Sequence, residues 1–295
     1  MKLSAETREW VGQNTGIAPA NIDFIPLKGA NASLVFLVRN GSVPQFVLRV
    51  LDNQKWLDEE PDLVQHEVAA LHEAQRTSIT APAIIAASEK TELPMLLMSH
   101  LEGQVDLQPA RPHQWLEQSA AQLARLHHHR APHFRWSYQS WVDKNHLCVP
   151  DRTRHPTLWK DAIALFSDTE PAYEAVFIHR DYHPCNILWR GSSPSGIVDW
   201  VNACQGPAGV DAGHFRINLA LLFDIPTADQ FLEMYLRANR DFVYDPYWDI
   251  DSIFNMCLPK PEFYKPWKDF GIKVLLQEEL QRRTDELLLN VMRKI

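Results

Sequence analysis

The chain has 295 residues, which is too long for one ordinary hydrophobic core and predicts two lobes around a cleft. Hydrophobic residues make up 45% and charged residues 22%, as in soluble globular proteins, and the net charge of −8 argues against nucleic acid as a partner. There is no apolar run of the ~20 residues that span a bilayer, no apolar run behind Met1–Glu6 and no C-x-x-C pair. We therefore expect a reduced, cytoplasmic protein without a signal peptide or membrane contact.

Residues 1–100 predict a mostly antiparallel sheet with one long helix. A short helix over 4–15 precedes three segments rich in Val, Leu, Ile and Phe, which we interpret as strands. These strands are Ile22–Leu27, Leu34–Val38 and Phe46–Leu51. Asn40-Gly41 predicts a hairpin between the last two, because both residues tolerate positive φ. A helix that begins at Glu60-Pro61 and runs to Arg76, then extended segments at 82–87 and 94–98, complete this lobe.

The pattern becomes mostly helical after Gly103. Helices are predicted at 112–129, 212–223, 227–241 and 271–294. A small hairpin is predicted between them, with strands 187–189 and 197–200 joined by a turn over 191–196. The sequence thus predicts an α+β protein with a lobe boundary near 99–103, so that residues 101–295 form the second lobe.

The strongest chemical signal is the segment His179–Asn186, whose sequence is H-R-D-Y-H-P-C-N. Phosphoryl transfer needs a carboxylate that orients the attacking hydroxyl and accepts its proton, and it needs oxygen ligands for magnesium. Asp181 and Asn186, five positions apart, supply one of each from a single loop. Folding of the following hairpin returns Asp199 to the neighbourhood of Asn186, which predicts two hard oxygen ligands suited to Mg²⁺.

This pattern resembles two groups of kinases. H-x-D-x-x-x-x-N followed by an apolar strand with an aspartate resembles the catalytic and metal-binding loops of protein kinases. With Ile197–Trp200 and with Gly206-Pro207 leading to Asp211, it resembles more closely the aminoglycoside phosphotransferase and choline kinase-like family. The resemblance extends from about Leu27 to the last helix. It implies a two-lobed protein-kinase-like fold with a small sheet lobe that binds nucleotide and a mostly helical lobe that carries catalysis and the acceptor.

The resemblance also assigns roles by position. It implies that Asp181 is the catalytic base, that Asn186 and Asp199 are the magnesium ligands, and that His179 supports the loop. ATP and Mg²⁺ are the implied cofactors. An ordinary polar loop is the alternative, and eight matched positions argue against it. Asp211 is most simply a helix N-cap, although the family has a loop-bracing aspartate there, so both roles can coincide.

Two charged residues in apolar surroundings give independent support. Arg49 lies inside an apolar strand, and the helical spacing puts Glu67 on an inward face. A buried charge needs a partner, so we expect the two to pair. The pair resembles the Lys–Glu pair that positions phosphates in kinases, with arginine in place of lysine. A purely structural ion pair is the alternative.

The resemblance implies further nucleotide contacts. The loop 28–33 has one glycine instead of G-x-G-x-x-G, and Ser33 or its backbone can touch phosphate, although a plain turn is the alternative. The segment 97–103 is the implied hinge, where backbone groups of Ser99 and Leu101 bind adenine. Met98 then forms the back of the pocket, with plain core packing as the alternative.

The expected acceptor is a small-molecule hydroxyl compound: aminoglycoside-like, an amino alcohol or a sugar. Residues 224–262 contain eight acidic and three basic residues with interleaved aromatics, which suits a cationic or sugar-like acceptor. A solvated acidic surface is the alternative.

The leading hypothesis is therefore a kinase that converts ATP and a small alcohol into a phosphate ester. The alternative from another class is a catalytically silent nucleotide-binding regulatory module on the same fold, and the presence of Asp181, Asn186 and Asp199 argues against it. A protein kinase is disfavoured because Trp200-Val201 follows Asp199 in place of Phe-Gly. The acceptor, the choice between ATP and GTP, and the oligomeric state stay open.

Overall fold

The structure is a computed structural model that describes residues 3–30, 32–91, 93–168 and 170–295. Its first part is an antiparallel sheet flanked by helices, and its second part is mostly helical, so the predicted α+β class is confirmed. Over these residues, no helix is both long and apolar enough to cross a bilayer.

The sheet has the strand order β1-β2-β3-β5-β4, and all its pairings are antiparallel. The strands are β1 (Ile22–Pro26), β2 (Leu34–Asn40), β3 (Val43–Val50), β4 (Ile84–Ser88) and β5 (Met95–Ser99). The hairpin between β2 and β3 is present, and Gly41 in its turn has a φ of 62°. Both faces of β5 are buried, because Met95 and Leu97 belong to one core cluster while Leu96 and Met98 belong to another.

Three helices accompany the sheet: α1 (Ala5–Thr15), α2 (Gln54–Glu59) and α3 (Leu63–Ala74). The cluster on one face of the sheet includes Val11 of α1, and the cluster on the other face includes Leu63 and Val64 of α3. The predicted start of α3 is wrong, since Pro61 lies in a turn ahead of the helix. The sequence did not predict α2, because none of its six residues is buried and it therefore has no apolar stripe.

The second part contains six helices and two small strand pairs within the described ranges. Its elements are α4 (Pro112–His127), α5 (Pro156–Asp168), β6 (Ala175–Ile178), β7 (Ile187–Arg190), β8 (Ser193–Ile197), β9 (Cys204–Pro207), α6 (Ala208–Leu222), α7 (Ile225–Ala238), α8 (Pro246–Cys257) and α9 (Gln277–Met292). The antiparallel pairs are β6 with β9 and β7 with β8. Neither α5 nor α8 was predicted.

The hairpin β7–β8 differs from its prediction. Arg190 pairs with Ser193, so Gly191 and Ser192 alone form the turn, and Gly191 takes the left-handed φ of 59° that such a turn requires. Residues 193–196, which were predicted as turn, are therefore strand, and Ile197 is strand as predicted. The strand ends at Ile197, and Asp199 lies beyond it with a φ of 68°.

Helix α6 is the central helix of the second part and is buried along almost its whole length. Gly209 and Gly213 face α8, where a Cβ on Gly213 would stand 2.6 Å from the carbonyl oxygen of Trp248. The missing side chains therefore allow α6 and α8 to approach closely, which sets how deeply α6 lies behind the segment His179–Asn186.

Candidate active site

A cavity of about 590 Å³ lies between the sheet and the helical part. Nine of the ten predicted site residues line it: Ser33, Arg49, Glu67, Met98, Ser99, Leu101, Asp181, Asn186 and Asp199. The tenth, His179, is fully buried behind the loop, where its Nε2 lies 2.9 Å from the carbonyl oxygen of Val198. That position fits the expected support role. Asn31, which belongs to the predicted phosphate loop, is outside the described residues.

The predicted catalytic loop, His179–Asn186, follows β6 and is held from behind by Asp211. Its carboxylate accepts hydrogen bonds from the backbone N–H of His179 at 2.8 Å and of Arg180 at 2.6 Å. The Nε2 atom of His127 lies 3.0 Å from the same carboxylate. Because Arg180 has a φ of 66°, unusual for a residue with a side chain, the brace holds a strained turn in place. The N-cap prediction is wrong, since α6 begins at Ala208 and Asp211 is inside its first turn.

Asp181 is contacted from two sides. His214 Nε2 lies 3.1 Å from its Oδ1, and Asn186 Nδ2 donates to its Oδ2 at 3.2 Å and to its backbone carbonyl at 2.9 Å. Burial alone would raise the pKa of this carboxyl, but His183, His214 and His179 together lower it well below its usual range. Asp181 is therefore ionised at neutral pH and can accept a proton.

The donor set beside Asp181 fits Mg²⁺. The backbone N–H of Val198 donates to the carbonyl of Asn186 at 3.0 Å, which brings Asp199 next to Asn186. Since the amide nitrogen of Asn186 faces Asp181, its amide oxygen is left for a cation, together with the carboxylate of Asp199. In the described chain no three His, Cys, Asp or Glu side chains cluster as metal ligands.

Arg49 forms the expected pair with Glu67. Its neighbours Leu48 and Val50 face α1, so strand alternation turns Arg49 towards α3. Its Nη1 lies 2.6 Å from Glu67 Oε1, and both side chains are buried. Its Nη2 lies 2.5 Å from Asp199 Oδ1, a second partner that the sequence did not predict. Burial alone would lower the pKa of Arg49, but Asp199 and Glu67 together raise it.

The predicted adenine contacts lie at the end of β5. Met98 is buried and packs among Leu63, Val64 and Leu96 while also lining the cavity. The backbone N–H of Ser99 donates to the carbonyl of Ala83 at 2.8 Å, so only the carbonyl of Ser99 is left for a nucleotide. Sequence reasoning could not distinguish these two backbone groups, because the pairing with β4 is not visible in the sequence.

The prediction that acidic residues of the segment 224–262 form a wall of the cavity is wrong, since the segment reaches the cavity through Met256. None of its eight acidic residues lines the cavity. Asp249 is buried in an ion pair with Arg216, and Asp251 accepts hydrogen bonds from Tyr138 at 2.6 Å and Ser140 at 2.5 Å. Asp245 caps α8. Asp249 and Asp251 therefore serve internal hydrogen bonding on the buried helix α8. The acidic residues Asp224, Glu233, Asp241 and Glu262 are exposed to solvent, as the alternative of a solvated acidic surface expects.

The helical side of the cavity is lined by His214 and Asn218 of α6, Met256 of α8, and the aromatic residues Tyr264 and Phe270. The sequence analysis missed all five. A signal existed for two of them, because Asp211, His214 and Asn218 have i, i+3, i+7 spacing and so share one helix face.

The fold and the site define the class of protein, and comparisons with known proteins agree. The family model described as the phosphotransferase enzyme family (APH) matches residues 23–249, so the chain belongs to that family, and it is a small-molecule kinase. No curated protein sequence matches the chain. The resemblance to aminoglycoside phosphotransferases and choline kinases is therefore confirmed at the level of the family.

Solved structures share the protein-kinase-like fold at low identity. A putative aminoglycoside phosphotransferase from Ralstonia eutropha is 14% identical with a TM-score of 0.57, covering 99% of each chain. Choline kinase from Cryptosporidium parvum is 11% identical with a TM-score of 0.53, covering 98% of this chain and 94% of its own. Amicoumacin kinase in complex with AMP-PNP, Ca²⁺ and Ami is 13% identical with a TM-score of 0.59, covering 97% of this chain and 95% of its own.

Proposed function

We propose that the protein transfers the γ-phosphoryl group of ATP, with Mg²⁺, to a hydroxyl group of a small molecule. The supporting observation is that an ionised Asp181, the oxygen ligands Asn186 and Asp199, and the Arg49–Glu67 pair meet at one cavity. The amicoumacin kinase complex contains an ATP analogue and a divalent cation, which supports both cofactors. A backbone N–H of Leu101 and the carbonyl of Ser99 are the proposed adenine contacts.

In the proposed mechanism each group has a separate task. Asp181 accepts the hydrogen bond of the acceptor hydroxyl, aligns its oxygen with the γ-phosphorus and takes up its proton as the new P–O bond forms. The bond between the γ-phosphorus and the β,γ-bridging oxygen breaks at the same time, and ADP leaves with that oxygen. Arg49, fixed by Glu67, contributes positive charge beside the phosphates. Bound Mg²⁺ would supply charge neutralisation on the phosphates, and Asn186 and Asp199 would hold it. Asp211 keeps the loop in position and contacts no reactant.

We further propose that the acceptor is uncharged at the end that enters the cavity. Three carboxylates line the described part of the cavity: Glu67 and Asp199, which pair with Arg49, and the base Asp181. An ammonium group would thus find no carboxylate free to pair with it, and burying it would be costly. Asn218 offers a neutral hydrogen-bonding group beside apolar surface, which suits a sugar or a polyol.

Two measurements test the proposal. Calorimetry should detect ATP binding that depends on Mg²⁺ in the wild-type protein and loses that dependence in Asp199→Ala. ADP release is then followed with neutral sugars and polyols and with their amino analogues, such as glucose and glucosamine. Turnover that favours the neutral member of each pair is expected. A preference for the amino analogues contradicts the uncharged acceptor. MgATP binding without turnover of any compound favours the silent regulatory module.

A further inference from the structure

We propose that His214 is a positioning residue that holds the carboxylate of Asp181 in the orientation needed to meet the acceptor hydroxyl. The contact is the 3.1 Å distance between His214 Nε2 and Asp181 Oδ1, inside the cavity. The inference rests on the proposed function, because it takes Asp181 as the base.

The direction of this hydrogen bond follows from charge. A carboxylate can only accept hydrogen bonds, so Nε2 of His214 carries the hydrogen in the 3.1 Å contact with Asp181 Oδ1. Asn186 Nδ2 donates to the other carboxylate oxygen at 3.2 Å. Each oxygen is thus held by one donor from a different element, and the carboxylate cannot rotate about its terminal torsion, which is otherwise broad. The remaining lone pairs are left for the acceptor hydroxyl.

His183 cannot replace His214 in this role. Its Nε2 lies 3.8 Å from Asp181 Oδ2, which is beyond hydrogen-bonding distance. Burial lowers the pKa of His183 to about 4, so the ring is neutral at neutral pH. His183 influences Asp181 through its charge only in acid, whereas His214 makes direct contact.

The fold places His214 through the same helix that braces the loop. Asp211 lies one turn earlier on α6 and binds the backbone N–H groups of His179 and Arg180. The close packing of Gly213 on Trp248 sets the depth of α6. One rigid helix therefore fixes both the backbone of the catalytic loop and the orientation of its carboxylate, as expected of groups that position a reacting side chain.

The kinetic test uses two substitutions. His214→Gln keeps an N–H donor of similar reach, and His214→Leu keeps volume without a donor. Transfer is measured to the best acceptor from the panel above or to water as phosphate release, and MgATP affinity is measured by calorimetry. We expect His214→Leu to lower kcat by about 10- to 100-fold with unchanged MgATP affinity, and His214→Gln to recover most of the loss. Equal activity of His214→Leu and wild type, or equal losses in both variants, overturns the role.

A structural test does not depend on activity. Side-chain ¹⁵N NMR should show His214 with hydrogen on Nε2 in the wild type, and Asp181→Ala should shift that signal. An unchanged signal overturns the contact, even where His214→Leu fails to fold. If the wild type does not bind MgATP, the proposed function is wrong, and His214 then has no part in phosphoryl transfer. The NMR signal still shows in that case whether His214 contacts Asp181. The two failures are thereby distinguished.

Discussion

Replacement of Glu67 by glutamine tests the charged pair at the centre of the cleft. Removing one partner of a buried ion pair usually costs about 3–5 kcal/mol. Arg49 keeps Asp199, whose side chain is 34% exposed, so part of its charge stays compensated. We therefore expect the free energy of unfolding to fall by about 2–3 kcal/mol, below the full cost of an unpaired buried charge.

The same substitution should weaken nucleotide binding for a specific reason. Without Glu67, the guanidinium of Arg49 is held by Asp199 alone and competes with Mg²⁺ for that carboxylate. We expect the Mg²⁺-dependent affinity for ATP to fall about tenfold, which corresponds to about 1.4 kcal/mol. Calorimetry at several Mg²⁺ concentrations measures this, and high Mg²⁺ should restore part of the affinity.

The control is Glu233→Gln, which removes an ion pair with Arg237 where both side chains are more than half exposed. It should change stability by no more than about 0.5 kcal/mol. A double-mutant cycle with Arg49→Met and Glu67→Gln isolates the pair in urea unfolding. A coupling energy below about 0.3 kcal/mol would refute the reasoning, because contacting partners couple by more than that.

Two further predictions concern pH and the acidic segment. Burial lowers the pKa of His183 to about 4, whereas the pKa of histidine in the unfolded chain is about 6.5. The unfolded state therefore binds the proton first, and the free energy of unfolding falls as the pH drops from 6.5 towards 4, by up to about 1.4 kcal/mol per pH unit. When the free energy of unfolding is measured with urea at several pH values, it should depend less steeply on pH in His183→Gln than in the wild type. An equal pH dependence in the two proteins contradicts the assignment. Asp249→Asn should cost about 2–3 kcal/mol with unchanged MgATP affinity, because buried Arg216 loses one carboxylate partner and keeps Asp229, whose side chain is partly exposed. A stable variant with altered affinity would return Asp249 to the binding site.

The features that could be predicted from the sequence depend on turn chemistry, on the pairing of buried charges and on the return of a hairpin. The hairpin at Gly41 follows from turn chemistry, and the pairing of Arg49 with Glu67 follows from the cost of an unpaired buried charge. The proximity of Asn186 and Asp199 follows from a hairpin that returns on itself, although its turn is shorter than predicted.

Tertiary contacts explain what the sequence did not predict. Helix α8 contains buried acids, Asp249 and Asp251, whose partners lie far away along the chain, so its acidic composition was misinterpreted as a binding surface. The contact of Arg49 with Asp199 joins residues 150 positions apart. His214 could be placed on the face of Asp211 by helical spacing, but only the packing of α6 shows that this face meets the catalytic loop.

The most direct test of phosphoryl transfer through Asp181 is a comparison of the wild type with Asp181→Asn by ³¹P NMR, with MgATP and the best acceptor from the neutral panel. The wild type should convert the γ-phosphate signal into that of a phosphate ester. Asp181→Asn should bind MgATP with similar affinity and form the ester at least ~100-fold more slowly, the usual effect of losing a general base. Ester formation by Asp181→Asn at nearly the wild-type rate would contradict the account.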